Sequence, residues 1–260
     1  METVIGLGSY GGAMTTLEFL PDIHNLEFVV TVLGEFRLQR GMSVVTVPRA
    51  SRRLLAFLAL HGRVVERAAL AGALWPDASE LHAYSSLRTA LSRLQSTARM
   101  ALATSKLELG LANGVTVDVH QARALARRLL DPAVPPAPRD LGASAVMALS
   151  AELLPDWYDD WVLVEAEDWR QLRLHALEAL AGHLTVAGRW GEAASAARAA
   201  VRGEPLRESS HAALIRVFLA EGNLSEAVCE FTSYRALLHR ELGLQPTPRL
   251  RNLIGNVPNT

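Results

Sequence analysis

Two seven-residue runs constrain this chain most: Ala187-Gly188-Arg189-Trp190-Gly191-Glu192-Ala193 recurs as Glu221-Gly222-Asn223-Leu224-Ser225-Glu226-Ala227, with 34 positions between Gly188 and Gly222. A period of about 34 residues is one helix-turn-helix unit of a stacked array. The glycine suits a tight turn between antiparallel helices, and the alanine lets the two helices of a pair approach closely. The C-terminal half should therefore be helical, from about Leu141 onward. Such a stack presents a concave surface able to grip a protein or peptide, and equally well serves as a support for the rest of the chain.

A second signal lies upstream. Leu153-Leu154-Pro155-Asp156-Trp157-Tyr158-Asp159-Asp160-Trp161 places three aromatic residues beside three aspartates, just before a long helical segment from Val162 to Val186. Aromatic rings bury large areas while keeping a polar handle, so the run reads as a packing plug. Asp159 and Asp160 could pair as acid and base, but adjacent carboxylates at a helix start more often serve the helix dipole.

The first third has a different grammar. Residues 27–47 alternate as short strands, and Pro48 ends them. Helices follow over Arg49–His61, stopped by Gly62, then Glu66–Leu74, then about Leu81–Leu102. Lys106–Leu111 and Val115–Val119 read as a hairpin around Asn113-Gly114. Strands, three helices and a terminal hairpin compose a winged helix-turn-helix. In the third helix Leu87, Leu91, Leu94 and Ala98 form one apolar stripe. The other face carries Ser85, Thr89, Ser92, Arg93, Ser96 and Arg99, with no carboxylate. Surface helices usually interleave Glu with Arg; small hydroxyls and Arg alone suit entry into a major groove.

Charge agrees with that division. The whole chain carries net −1, but residues 27–118 hold 11 basic against 7 acidic side chains. Nucleic-acid contact is thus expected in the first third. The region divides as a leader over 1–26, the winged helix over 27–118, a connecting helix with the proline-rich stretch Asp131–Pro138 over 119–138, and the helical repeats over 139–257.

Other classes find little support. Gly6-Leu7-Gly8-Ser9-Tyr10-Gly11 matches the dinucleotide glycine pattern in form, but only five residues precede it and no crossover helix follows. It reads as part of a flexible leader, and Met14 is an alternative start. The single cysteine, Cys229, excludes an internal disulfide and a cysteine metal cluster. The histidines lack ligand spacing, and no Ser or Cys sits in a nucleophile elbow. The expectation is a protein without enzymatic activity or cofactor. No apolar run approaches the roughly 20 residues of a membrane span, and no basic signal region opens the chain, so a cytoplasmic, nucleoid-associated protein with no membrane partner is expected.

Residues 27–118, with Ser92-Arg93-Leu94 at the core of the third helix, resemble the OmpR-type winged helix. The Leu153–Trp161 run, its continuation through Trp169-Arg170-Gln171-Leu172-Arg173, and the 34-residue repeat resemble the bacterial transcriptional activator domain, which is tetratricopeptide-like. Together they resemble the Streptomyces antibiotic regulatory protein (SARP) family. That resemblance implies a transcriptional activator that binds promoter direct repeats in double-stranded DNA, often near secondary-metabolite genes, and recruits RNA polymerase or a sigma factor. It implies Arg93 as leading base reader beside Thr89, Ser92 and Ser96, with Arg88 and Arg99 on phosphates, and Ser85 and the wing cation Lys106 complete the DNA-binding set. It also implies a polymerase-contact loop with Trp75, Asp77, Ser79 and Glu80, and self-association on DNA. The competing reading is a helical-repeat adaptor whose winged helix binds no DNA.

Overall fold

The computed structural model describes residues 28–255. The leader, its glycine pattern and Met14 lie outside the described residues. The chain begins with strands β1 (Phe28–Thr31), β2 (Arg37–Arg40) and β3 (Ser43–Val45), an antiparallel meander in which Val30 faces Leu38. Both side chains are buried. Helix α1 (Arg49–His61) sets Leu54, Leu55, Leu58 and their neighbours into the core. It stops where Gly62 turns left-handed at φ 61° and donates its N–H to the Leu58 carbonyl.

Next come β4 (Val65–Glu66), α2 (Arg67–Leu74), α3 (Glu80–Ser92) and the single turn α4 (Ser96–Arg99). Strands β5 (Leu102–Thr104) and β6 (Glu108–Leu111) form an antiparallel hairpin, and β4 joins it to give a three-stranded sheet in the order β4-β6-β5. Strand β7 (Thr116–Val117) leaves that sheet and runs parallel to β1 in the other. The wing therefore turns at Ser105-Lys106-Leu107, and the hairpin expected around Asn113-Gly114 is not formed. Gly114, at φ 87°, instead redirects the chain from one sheet to the next. Asn-Gly signals a turn locally, but which strands pair across it is decided by distant partners.

The helical half comprises α5 (Asp118–Leu130), a 3-10 turn at Pro138–Leu141, α6 (Ala143–Ser150), α7 (Asp160–Val186), α8 (Trp190–Gly203), α9 (Glu208–Glu221), α10 (Leu224–Leu242) and α11 (Pro248–Gly255). The proline-rich stretch is the loop between α5 and the 3-10 turn, spanned by a bidentate Arg128–Asp140 pair. The repeat appears as two like-for-like turns. After α7, Gly188 donates to Thr185 and Arg189 to Leu184; after α9, Gly222 donates to Leu219 and Asn223 to Phe218. Both glycines are left-handed, at φ 71° and 84°. Ala193 and Ala227, at matching places, are fully buried. Helicity from Leu141 is interrupted at 151–159, where Glu152, Leu153 and Leu154 bond to the chain just past β1.

That interruption joins the two halves. Leu153 bridges Leu33, Gly34 donates to the Glu152 carbonyl, and Leu154 donates to the Val32 carbonyl. The Asp118 carboxylate, opening α5, accepts the Val32 and Leu33 amides at 2.9 and 3.0 Å. Burial pushes the Asp118 carboxyl above its ordinary value despite those bonds. The aromatic run then reaches across: Trp157 packs on Phe36 and on Trp161, and Trp161 meets Phe57 of α1 edge-on at 5.1 Å. Asp159 pairs with Arg53 of α1. The expected plug is thus a seam between the halves, and one hydrophobic cluster runs through both.

Candidate nucleic-acid interface

Helix α3 is held from below. Ala83, Leu87 and Ala90 point inward, and α2 contributes Leu70, Ala71 and Leu74 to the same core. The buried Ser51 hydroxyl of α1 donates to the Ala90 carbonyl at 2.7 Å and fixes the two helices together. The opposite face is open. Ser85, Arg88, Thr89 and Ser92 are all exposed on it. The Thr89 hydroxyl donates to the Ser85 carbonyl and the Ser92 hydroxyl to the Thr89 carbonyl, leaving their oxygen lone pairs outward.

The third helix is shorter than its apolar stripe predicts. It ends at Ser92; Arg93, Leu94 and Gln95 form a turn, and α4 restarts the helix at Ser96. Three bonds account for the break. Ser92 back-bonds to Thr89, the Leu94 amide reaches only Leu91, and the Arg99 guanidinium takes the Ser92 carbonyl at 2.8 Å. Leu94 and Ala98 stay buried through the turn, so the stripe survives while the helix does not. Ser96 and Arg99 therefore stand on α4 and not on the α3 face. Arg93 is the first residue past α3 and lines a cleft at the seam.

The wing tip carries Lys106 and the exposed Leu107. Ser105 accepts both Leu107 and Glu108 amides on its hydroxyl, and the Arg67 guanidinium donates twice to the Ser105 carbonyl, so the tip is tied to α2. Asp77 and Ser79 in the loop before α3 and Glu80 at its start are exposed, while Trp75 is half-buried against the core. The Ser79 hydroxyl meets His82 Nδ1 at 2.7 Å. Glu80, in the first turn of α3, also sits favourably on the helix dipole.

Arg49 and Arg52 did not stand out from the sequence. Both belong to the first turn of α1, which has no acidic residue. Cations at a helix N-terminus run against the dipole, and that anomaly was the available signal.

A winged helix-turn-helix with an open α3, fused to paired helices, defines the class of protein by fold. Comparison with known proteins makes the assignment specific. The model of the bacterial transcriptional activator domain matches residues 117–257, taking in α5 and the proline-rich loop. "Regulatory protein AfsR" of Streptomyces griseus is 29% identical over 242 residues, covering 86% of this chain and 24% of the relative. Its counterpart in Streptomyces coelicolor is 30% identical over 242 residues, covering 85% and 23%. The chain thus spans about a quarter of the length of these relatives. A solved structure, Mycobacterium tuberculosis EmbR in complex with a low-affinity phosphopeptide, superposes with a TM-score of 0.67 at 22% identity, over 88% of this chain and 64% of that one. The chain belongs to the SARP family and is a transcription regulator carrying a bacterial transcriptional activator domain. That family is regulatory and not catalytic. No helix among the described residues is long and apolar enough to cross a membrane.

Proposed function

We propose that the chain binds promoter DNA sequence-specifically through α3 and activates transcription. The observation carrying this reading is the α3 face from Ser85 to Ser92, where exposed hydroxyls and Arg88 stand with no carboxylate among them. Arg88 and Thr89 lie where a major groove would admit them, and an Arg fork can take guanine O6 and N7 together. Arg99 of α4 and Lys106 of the wing flank that face and serve the phosphates. Two copies set head to tail on a direct repeat fit an asymmetric module, since a twofold dimer would demand a palindrome. Asp77 and Ser79 in the loop before α3 and Glu80 at its start lie exposed, in reach of polymerase or sigma factor on the same DNA, and the protein would work at the nucleoid.

Fluorescence anisotropy against duplexes from upstream of its own and adjacent genes, with nonspecific competitor and a salt series, tests the reading. Competitor-resistant binding that weakens with salt is expected. Absence of any salt-sensitive duplex affinity would replace it with the adaptor reading.

A further inference from the structure

Beside α3 lies a cleft of about 950 Å³ whose lining includes Arg49, Arg52, Arg53 and Arg93. The Ser51–Ala90 hydrogen bond explains the convergence, because it clamps the first turn of α1 to the last turn of α3. These four arginines are not equivalent. Arg53 is neutralised by Asp159 and also donates to the Leu74 carbonyl. Arg52 gives only its Nε to the Val47 carbonyl, at 2.8 Å. Arg49 and Arg93 make no side-chain hydrogen bond among the described residues. Three guanidinium groups thus face one cleft with donors to spare. Asp156, also in the lining, forms no ion pair among the described residues.

Like charges gathered at the positive end of a helix repel one another and the dipole. A bound anion relieves both terms. Guanidinium forks match the tetrahedral oxygens of phosphate, and backbone N–H groups at a helix start add donors of the same kind. The far wall belongs to the helical half, where Tyr158 is 80% exposed and offers a hydroxyl at the rim. The cleft also runs on from the α3 face through Arg93, the residue directly after the helix.

We propose that this cleft seats a phosphate group on Arg49, Arg52 and Arg93, and that the phosphate belongs to the backbone of the duplex read by α3. The proposal rests on the DNA-binding reading for its source of phosphate. It changes the role of Arg93 from reading a base to holding the backbone, and it brings the helical half, through Tyr158, to the DNA itself.

The test uses the full chain, an upstream duplex that it binds and a scrambled duplex of equal length. Arg49→Ala/Arg52→Ala and Arg93→Ala should each weaken both duplexes by the same factor. The slope of log affinity against log salt should shrink by about 1 in the double variant, the one phosphate contact being lost, and by up to that amount in Arg93→Ala. Melting temperatures of the free proteins should not fall. An unchanged slope in the double variant, with the parent binding DNA, overturns the proposal; so does a loss in Arg93→Ala confined to the upstream duplex, which would mark a base reader. Should the parent show no duplex affinity, the DNA reading fails separately. A melting-temperature titration with inorganic phosphate then decides: a rise in the parent that the double variant lacks keeps the cleft as a site for a free phosphate, and equal behaviour removes it.

Discussion

The helical half pairs its arginines with carboxylates more often than the winged-helix half does, and several unmatched arginines of the winged helix gather around α3. From α5 onward seven of the fifteen arginines, Arg123, Arg128, Arg170, Arg173, Arg189, Arg207 and Arg240, each meet a carboxylate of the same half, and the other eight have no ion-pair partner among the described residues. In the winged helix only Arg37 does, with Glu35, while Arg53 takes Asp159 from across the seam. Arg40, Arg49, Arg52, Arg63, Arg67, Arg88, Arg93 and Arg99 have no ion-pair partner among the described residues. Matched pairs cancel their far field and mainly position helices; unmatched cations leave a field that reaches solvent. What sets Arg49, Arg52 and Arg93 apart is that they are unmatched and line one cleft, which leaves them available for an external anion.

The largest effect should fall on the seam, where the two halves depend on each other. Trp161→Ala removes a half-buried ring that contacts both Phe57 and Trp157. A loss of about 3 kcal/mol is expected, the low end for Trp→Ala because the ring is not fully buried. Denaturant unfolding should remain a single transition in the parent; two separate transitions would break the idea of one continuous core.

A smaller loss belongs to a matched arginine of the helical half. Asp140 is buried and takes both its bonds from Arg128, which is about half exposed. Arg128→Ala would leave that carboxylate without its partner, at a cost of about 2 kcal/mol, below the value for a fully buried pair because solvent screens the Arg128 side. The Arg128 hydrogen bonds hold the Asp140 carboxyl below its ordinary value of 3.8. A depressed folded value makes this contribution complete above 3.8 and lost as pH falls through the lower folded value. The gap in melting temperature between parent and variant should close in that acid window. A gap independent of pH would show that packing, not the ion pair, had been removed.

Arg88→Ala sharpens the contrast from the unpaired side. Stability should stay within about 0.5 kcal/mol of the parent, as for a surface residue without partners. Discrimination between upstream and scrambled duplex should fall by ~1–3 kcal/mol if the side chain reads a base. Uniform weakening of both duplexes would reassign it to the backbone.

What could be read from the chain follows the range of each signal. Helix α1 has both ends written locally, in Pro48 and Gly62, and α7 starts two residues before the expected Val162. The exposed hydroxyls of α3 were legible from one face of one helix. Its end was not, since an apolar stripe continues through Leu94 and Ala98 while the break rests on Arg99 reaching back to Ser92. The partner of β7 was equally hidden, because Val117 pairs with Val30 far away in sequence. Arg49 and Arg52 join the α3 edge only through the Ser51–Ala90 bond, a contact no local pattern announces.

The finest comparison lies inside the repeat. Gly188 and Gly222 occupy the same left-handed position in two copies of one turn, and a Cβ at either would meet nothing within 4 Å. Any penalty for Gly188→Ala or Gly222→Ala must then come from backbone conformation alone, about 1–2 kcal/mol in each case. Gly182 lies inside α7 with equally open space around its Cβ and an ordinary helical backbone. Gly182→Ala should therefore stabilise by roughly 0.5–1 kcal/mol, through restriction of the unfolded chain. Chemical denaturation of the three variants reads the sign directly. Equal losses at 188 and 222 with a gain at 182 would show that the 34-residue repeat is preserved for its turns; unequal losses would mean that one helix pair tolerates a different junction.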